Sequence, residues 1–120
     1  SKVNLSIKGR DFIIPNFYEG VVRFDFKELC DVNIGAEDYL KIAKNCNFIL
    51  IENIPKFSNE NSNQQNRFIT LIDILYEKKI PLLISISSSL DNLGSASNLQ
   101  QSFKRTLSRL YELTSPDIIN

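Results

Sequence analysis

Runs of apolar residues along the chain predict where strands and helices form. Over residues 3–7, apolar side chains alternate with polar ones, which is typical of a half-buried strand. A short apolar run over 12–14 and a second alternating run over 22–26 follow at close intervals. The pattern over residues 1–30 therefore predicts a small antiparallel meander of three short strands.

The stretch from Phe48 to Ser88 has the pattern strand, helix, strand. Residues 48–54 and 82–87 are short apolar runs rich in β-branched residues, and a densely apolar helix over 67–76 separates them. Two such strands joined by a helix predict a βαβ unit with parallel strands, buried on both faces.

Helix signals precede and follow this unit. Asp25, placed before Glu28 at capping-box spacing, predicts a short helical turn. Gly35 precedes acidic residues that suit the first turn of a second helix. Apolar residues recur at helical spacing from Leu99 to Leu110 and predict the last helix.

These elements together predict an α/β fold. A length of 120 residues fits one domain, so residues 1–120 are interpreted as a single domain with the meander in 1–30 and the α/β part in 35–120. The chain contains no methionine and opens directly in a strand-like pattern, which predicts a fragment of a longer protein.

Charge and cysteine usage exclude several classes of function. The 14 basic and 14 acidic residues balance, which predicts no nucleic-acid partner and at most a peripheral membrane contact. Cys30 and Cys46 do not form a C-x-x-C pair, and the chain has no histidine, so no metal site is expected. Two reduced, buried thiols in a cytosolic or matrix protein are the interpretation.

The motifs of common catalytic sites are missing from the sequence. There is no P-loop and no G-x-S-x-G, and a serine nucleophile would lack a histidine to activate it. Glu52, at the end of an apolar strand, resembles a Walker B acid, with a solvent-facing carboxylate as the alternative. Asp73 is a candidate metal ligand, or else it pairs with a basic neighbour. A metal-dependent enzyme using both carboxylates is a further hypothesis.

Three arginines are the better candidates for a functional site. Arg67, Arg105 and Arg109 lie on apolar helices, from which a guanidinium can reach a phosphate as arginine fingers do. The alternative is that these are ordinary surface arginines, with Arg109 paired to Glu112 along a solvated helix face.

Five motifs occur in an order and spacing that resemble a known family. They are Gly9-Arg10, Phe24-x-Phe26-x-Glu28-Leu29-Cys30, Gly35-x-x-Asp38-Tyr39, Arg67-Phe68-Ile69-x-Leu71-Ile72-Asp73-x-Leu75-Tyr76, and Arg105-Thr106-x-Ser108-Arg109-Leu110-x-Glu112. Nearly the whole chain resembles the C-terminal part of the ZapE cell-division ATPases of bacteria and of the lactation-elevated-protein ATPases of mitochondria. Two departures are Asn66, where the family often has an arginine, and Leu93-Gly94, where it usually has Leu-Tyr.

This resemblance implies an AAA-type P-loop ATPase. ATP and magnesium would be bound mainly by segments upstream of Ser1, and the isolated chain would bind neither. Arg105 and Arg109, and less directly Arg67, would sense nucleotide or contact a neighbouring subunit. Implied partners are the rest of the ATPase chain, division or membrane proteins, and further copies in a homo-oligomer. An Asn- and Ile-rich composition favours a bacterial cytoplasm over a mitochondrion. The competing hypothesis is a non-catalytic protein-interaction α/β domain.

Overall fold

The computed structural model describes residues 3–7, 10–14, 20–86 and 89–114, the first two ranges as strand backbone only. Ser87, the end of the second predicted parallel strand, and residues 115–120 of the predicted domain lie outside these ranges. The strands and helices are, in chain order, β1 Val3–Ile7, β2 Arg10–Ile14, β3 Val21–Asp25, α1 Phe26–Cys30, α2 Ala36–Lys44, β4 Phe48–Ile54, α3 Ser62–Glu77, β5 Leu82–Ile86 and α4 Gln100–Leu113. Short 3-10 turns occupy Asn59–Asn61, Leu90–Asn92 and Ser97–Leu99.

The main sheet is parallel, with strand order β3-β4-β5. Its register pairs Phe24 with Ile51 and Ile51 with Ile84. The predicted βαβ unit is thereby confirmed as β4-α3-β5, but its predicted burial on both faces is wrong, since Leu83 of β5 is 54% exposed. The α/β class is confirmed with it.

The predicted three-stranded antiparallel meander is wrong in one strand. β1 and β2 pair antiparallel with each other, but β3 pairs in parallel with β4. The cause lies at Asp25, which accepts a hydrogen bond from the backbone of Lys27 while Glu28 accepts one from the backbone of Asp25. This capping box starts α1 directly after β3, and a strand followed by helices returns to the sheet by a parallel crossover.

The helices cover one face of the main sheet. Five side chains on that face are almost fully buried, at 0–2% exposure: Val22, Phe24, Ile49, Ile51 and Leu82. Right-handed crossovers between neighbouring strands in consecutive order place the connecting helices on a single side. The core therefore lies between the sheet and α1 to α4.

Aromatic packing joins α4 to this core. The ring of Phe57, which follows β4, lies 5.7 Å from Phe26 of α1, 5.6 Å from Phe68 of α3 and 5.4 Å from Phe103 of α4, measured between centroids. The contact with Phe103 is edge-to-face, a favoured arrangement of aromatic rings. These contacts set the position of α4 along the axis of α3.

The helix α3 begins earlier than the apolar pattern predicts, because a polar residue of its first turns is buried. Gln65 is fully buried; its amide donates to Ser95 Oγ at 2.8 Å and accepts from the Ala96 backbone at 2.8 Å. A buried amide with both ends satisfied stabilises the position of the segment it contacts. Gln65 thus holds the segment that leads into α4.

Within the described ranges, no helix has the length and apolar character needed to cross a bilayer.

Candidate functional site

The candidate site lies where α4 packs against α3. Arg105 and Arg109 are four residues apart on α4 and share one helix face, while Asp73 and Tyr76 are three apart on α3 and share another. The packing of the two helices brings these faces together. The structure therefore unites two of the predicted arginines with one of the predicted carboxylates.

Asp73 is the centre of the cluster. Its Oδ1 forms an ion pair with Arg109 Nη1, and its Oδ2 lies 3.8 Å from Arg105 Nη2. The guanidinium of Arg109 also stacks over the Tyr76 ring, 4.6 Å from the centroid, a favourable cation–π geometry. Arg109 is engaged from two directions, and its side chain is only 21% exposed.

The predicted alternative partner of Arg109 is wrong. Glu112 hydrogen-bonds the hydroxyl of Tyr76, and this contact raises the pKa of that hydroxyl above its ordinary value. The ion-pair partner of Arg109 is Asp73, across the helix interface. A cavity of about 350 Å³ opens beside these groups, lined by Tyr76, Lys79, Glu112 and Leu113.

Arg105 differs from Arg109 in its exposure. Its side chain is 62% exposed, and its ion-pair contact with Asp73 is long. A guanidinium in this position keeps most of its five donors available to an incoming anion. The structure thus separates a held arginine, Arg109, from an accessible one.

Arg67 makes a different contact from the other two arginines. Its Nη1 donates to the carbonyl of Cys30 at 3.1 Å, at the C-terminal end of α1. The last carbonyls of a helix lack partners within the helix, and a cation there is favourable. In this structure Arg67 ties α3 to α1.

Glu52 lies at the carboxyl end of β4 among other polar groups. It forms an ion pair with Arg23 of β3. Next to it, the Asn53 amide donates to Asp25 Oδ1 at 2.6 Å and lowers the pKa of that carboxyl. The Asn53 backbone, at a φ of 62°, donates to Ser85 Oγ at 2.9 Å. These contacts link the ends of all three strands of the parallel sheet.

Neither carboxylate joins a metal-ligand cluster. Glu52 pairs with Arg23, whereas Asp73 pairs with Arg109. Among the residues that the structure describes, no three His, Cys, Asp or Glu side chains are grouped as metal ligands. The arrangement offers no support for the hypothesis of a metal enzyme based on Glu52 and Asp73.

The two cysteines are buried and free, as predicted. Burial raises the pKa of the Cys46 thiol to about 11 and that of the Cys30 thiol to about 12. Since the thiolate is the nucleophile, both residues are poor candidates for covalent chemistry.

Sequence reasoning missed the contribution of Tyr76, which supplies the surface on which Arg109 stacks. A signal was present: Asp73 and Tyr76 have the i, i+3 spacing of one helix face, and Arg105, Arg109 and Glu112 have the i, i+4, i+7 spacing of another. What the spacing lacks is any indication that these two faces meet. Arg23, the ion-pair partner of Glu52, belongs to no motif singled out in the sequence.

Comparison with known proteins finds one matching family and several related proteins. The family model described as AFG1-like ATPase matches residues 1–120. Lactation elevated protein 1 homolog B of Danio rerio is 33% identical over 89 residues, which cover 74% of this chain and 18% of that protein. Cell division protein ZapE of Escherichia coli K12 is 27% identical over 115 residues, 96% of this chain and 31% of that protein.

A further relative is known only as uncharacterized protein C115.02c of Schizosaccharomyces pombe, 36% identical over 81 residues that cover 68% of this chain. No solved structure gives a significant match. The chain spans between about a fifth and a third of the length of these curated relatives.

Proposed function

Because the chain belongs to the AFG1-like ATPase family, we propose that it works as a segment of a larger AAA-type ATPase and supplies Arg105 to the nucleotide site or to a subunit contact. Arg109, Asp73 and Tyr76 position that arginine. ATP and its magnesium ion are bound by parts of the protein outside these residues.

The observation that carries this proposal is the unequal exposure of the two arginines. Arg109 is 21% exposed and held by Asp73, while Arg105, one turn earlier on α4, is 62% exposed. A charged group acts well on a ligand when it projects from a rigid element whose neighbours are locked. Here the locked neighbour is Arg109, which fastens α4 to α3 through an ion pair and a stacked ring.

An exposed arginine suits the chemistry of an ATPase. Negative charge spreads over the phosphoryl oxygens as the phosphate bond breaks, and a guanidinium can donate two parallel hydrogen bonds to them. Such an arginine is supplied either within the same chain or by a neighbouring subunit. In a homo-oligomer, Arg105 of one copy would act on the nucleotide bound by the next.

The partners proposed are proteins. The Escherichia coli relative is named a cell division protein, and a role in bacterial cell division is the extension we propose, with work on membrane proteins as the second option. Balanced charge, 14 basic against 14 acidic residues, gives no support for a nucleic-acid substrate.

The test is alanine substitution in the full-length ATPase. R105A is expected to lower kcat at least about tenfold, because a charge that acts in the transition state is lost. The control is K104A, which removes the neighbouring exposed cation of α4 and should leave hydrolysis unchanged. Thermal unfolding of both variants should match that of the wild type.

The outcomes separate the two classes of function. Normal ATP hydrolysis by R105A, with partner binding lost, would support the protein-interaction domain instead. An R105K variant adds a second criterion, since lysine keeps the charge but loses the two-pronged geometry. Only partial recovery of kcat is expected from it.

A further inference from the structure

The second face of the parallel sheet is apolar and exposed at the amino ends of its strands. Val21 of β3 is 41% exposed and Leu83 of β5 is 54% exposed, while Phe48 and Leu50 of β4 are half-buried. The strand register places Val21 beside Phe48 and Leu50 beside Leu83. These four residues form one surface, called here the open sheet face.

Exposure of this kind is unusual for a parallel sheet. Parallel sheets are normally covered on both faces, since helices pack on each side, and the sequence led to that expectation. Here the order β3-β4-β5 has consecutive neighbours, so right-handed crossovers place the connecting helices on one side only. The opposite side needs a cover that the connections within this sheet do not provide.

The polar groups of the face lie at one end of it. Arg23 and Glu52 pair with each other beside Leu50. Asp25, bonded to Asn53, lies beyond them at the carboxyl ends of the strands. Arg23 and Glu52 neutralise each other, and Asp25 is hydrogen-bonded by the Asn53 amide and the Lys27 backbone, so a covering surface need not be charged. An apolar area with polar groups along one side is compatible with a protein contact surface, in which an apolar core adjoins a polar rim.

We propose that the open sheet face docks against the remaining part of the same ATPase polypeptide, through an apolar surface of that part. This inference rests on the proposed function, in which the chain works inside a larger ATPase. The length of the relatives supports it, because the matched stretch makes up only 31% of the Escherichia coli protein and 18% of the zebrafish protein. A surface on the same polypeptide is present at high effective concentration and outcompetes a separate molecule of equal affinity.

The test is site-specific photocross-linking in the full-length ATPase. Benzoylphenylalanine placed at Leu83 is expected to give an intramolecular cross-link to a peptide outside these 120 residues, with the product migrating as a monomer in a denaturing gel. The matched control is the same probe at Val32, an apolar residue that is 38% exposed but lies off the sheet. Val32 should give at least about tenfold less of this product.

Other products would overturn the proposal. Cross-linked dimers would mean that a second copy covers the face, and a product with a different protein would mean that a partner does. If the probe at Leu83 gives no more cross-linked product than the probe at Val32, the face is exposed to solvent. None of these readouts depends on ATP hydrolysis, so a failure here is distinguishable from a failure of the R105A test.

A second measurement uses a buried charge instead of a probe. L83D in the full-length protein should lower the Tm by at least about 3 °C, since a carboxylate would be forced into an apolar contact. V32D should leave the Tm within about 1 °C, as substitutions at exposed positions usually do. Equal Tm values for the two variants would contradict the proposal.

Discussion

At the scale of single residues, Asp73 determines what the two arginines of α4 can do. It is an acid in the apolar second half of α3, and its two oxygens face Arg109 and Arg105. An acid in this position holds the Arg109 side chain in place, while the Arg105 guanidinium keeps most of its hydrogen-bond donors available. The availability of Arg105 to a ligand therefore depends on Asp73.

The first prediction at this scale concerns D73N. The substitution keeps the shape of the side chain but removes its charge, so Arg109 loses its ion pair. Loss of a partly buried pair is expected to lower the free energy of unfolding by about 1 kcal/mol, measured by urea unfolding.

The control for D73N is E77Q, which removes an exposed acid from the same helix and should change the free energy of unfolding by less than about 0.5 kcal/mol. A double-mutant cycle of D73N with R109A gives the coupling energy directly. Additive effects of the two substitutions would show that the pair contributes nothing.

At the scale of elements, the segment between β5 and α4 is held by backbone geometry as well as by Gln65. Gly94 forms a bridge with Phe57 and has a φ of +74°. A Cβ atom at this position would lie 2.7 Å from the Phe57 carbonyl oxygen. The close approach brings the segment against the aromatic cluster on which α4 packs.

The prediction for this element compares two glycines. G94A should lower the free energy of unfolding by at least about 2 kcal/mol, because a positive φ strains alanine and the new Cβ meets backbone. G35A is the matched control: a Cβ there meets nothing within 4 Å, and the cost at a helix N-cap should stay below about 1 kcal/mol.

Equal destabilisation by the two alanines would contradict the backbone argument for Gly94. The comparison also bears on the departure from the family pattern at Leu93-Gly94. A tyrosine at position 94 of this chain would have to accommodate both the positive φ and the Phe57 carbonyl.

At the scale of the whole molecule, the chain has a covered sheet face, an open sheet face and an exposed arginine on α4. The carboxyl ends of parallel strands are the usual place for ligands in α/β sheets. In this molecule Asn53 hydrogen-bonds both Asp25 and Ser85 there. Internal bonding of this kind indicates a structural role for the strand ends.

The whole-molecule prediction is that the isolated chain does not hydrolyse ATP. The sequence contains no P-loop to bind the phosphates, and Glu52 is paired with Arg23. Phosphate release should equal that of a buffer blank. Turnover that E52Q abolishes would contradict this prediction and would restore Glu52 as a catalytic acid.

Much of the fold could be predicted from the sequence, because buried apolar residues recur at regular spacing along each strand and helix. The strands β4 and β5 and the helix between them follow from apolar runs and from the spacing of β-branched residues. The direction of β3 could not be derived in this way. An alternating pattern is the same for parallel and antiparallel pairing, and only the helix start at Asp25 separates the two.

Three members of the candidate site were predictable, but their contacts were not. Asp73, Arg105 and Arg109 stand out by residue type and position. The choice between Glu112 and Asp73 as the partner of Arg109 depends on how α4 packs on α3, and that packing is set by buried rings such as Phe57 and Phe103. Contacts between elements distant in sequence leave no periodic signal.

The sequence by itself determined the α/β class, the βαβ unit and the family motifs, since each depends on local spacing. Tertiary structure alone decided which arginine is exposed, which acid holds the other, and which face of the sheet is left open. The physical reason is that these properties are set by the relative placement of α3, α4 and the sheet. That placement depends on the burial of apolar side chains from elements far apart in the sequence, and no local pattern encodes it.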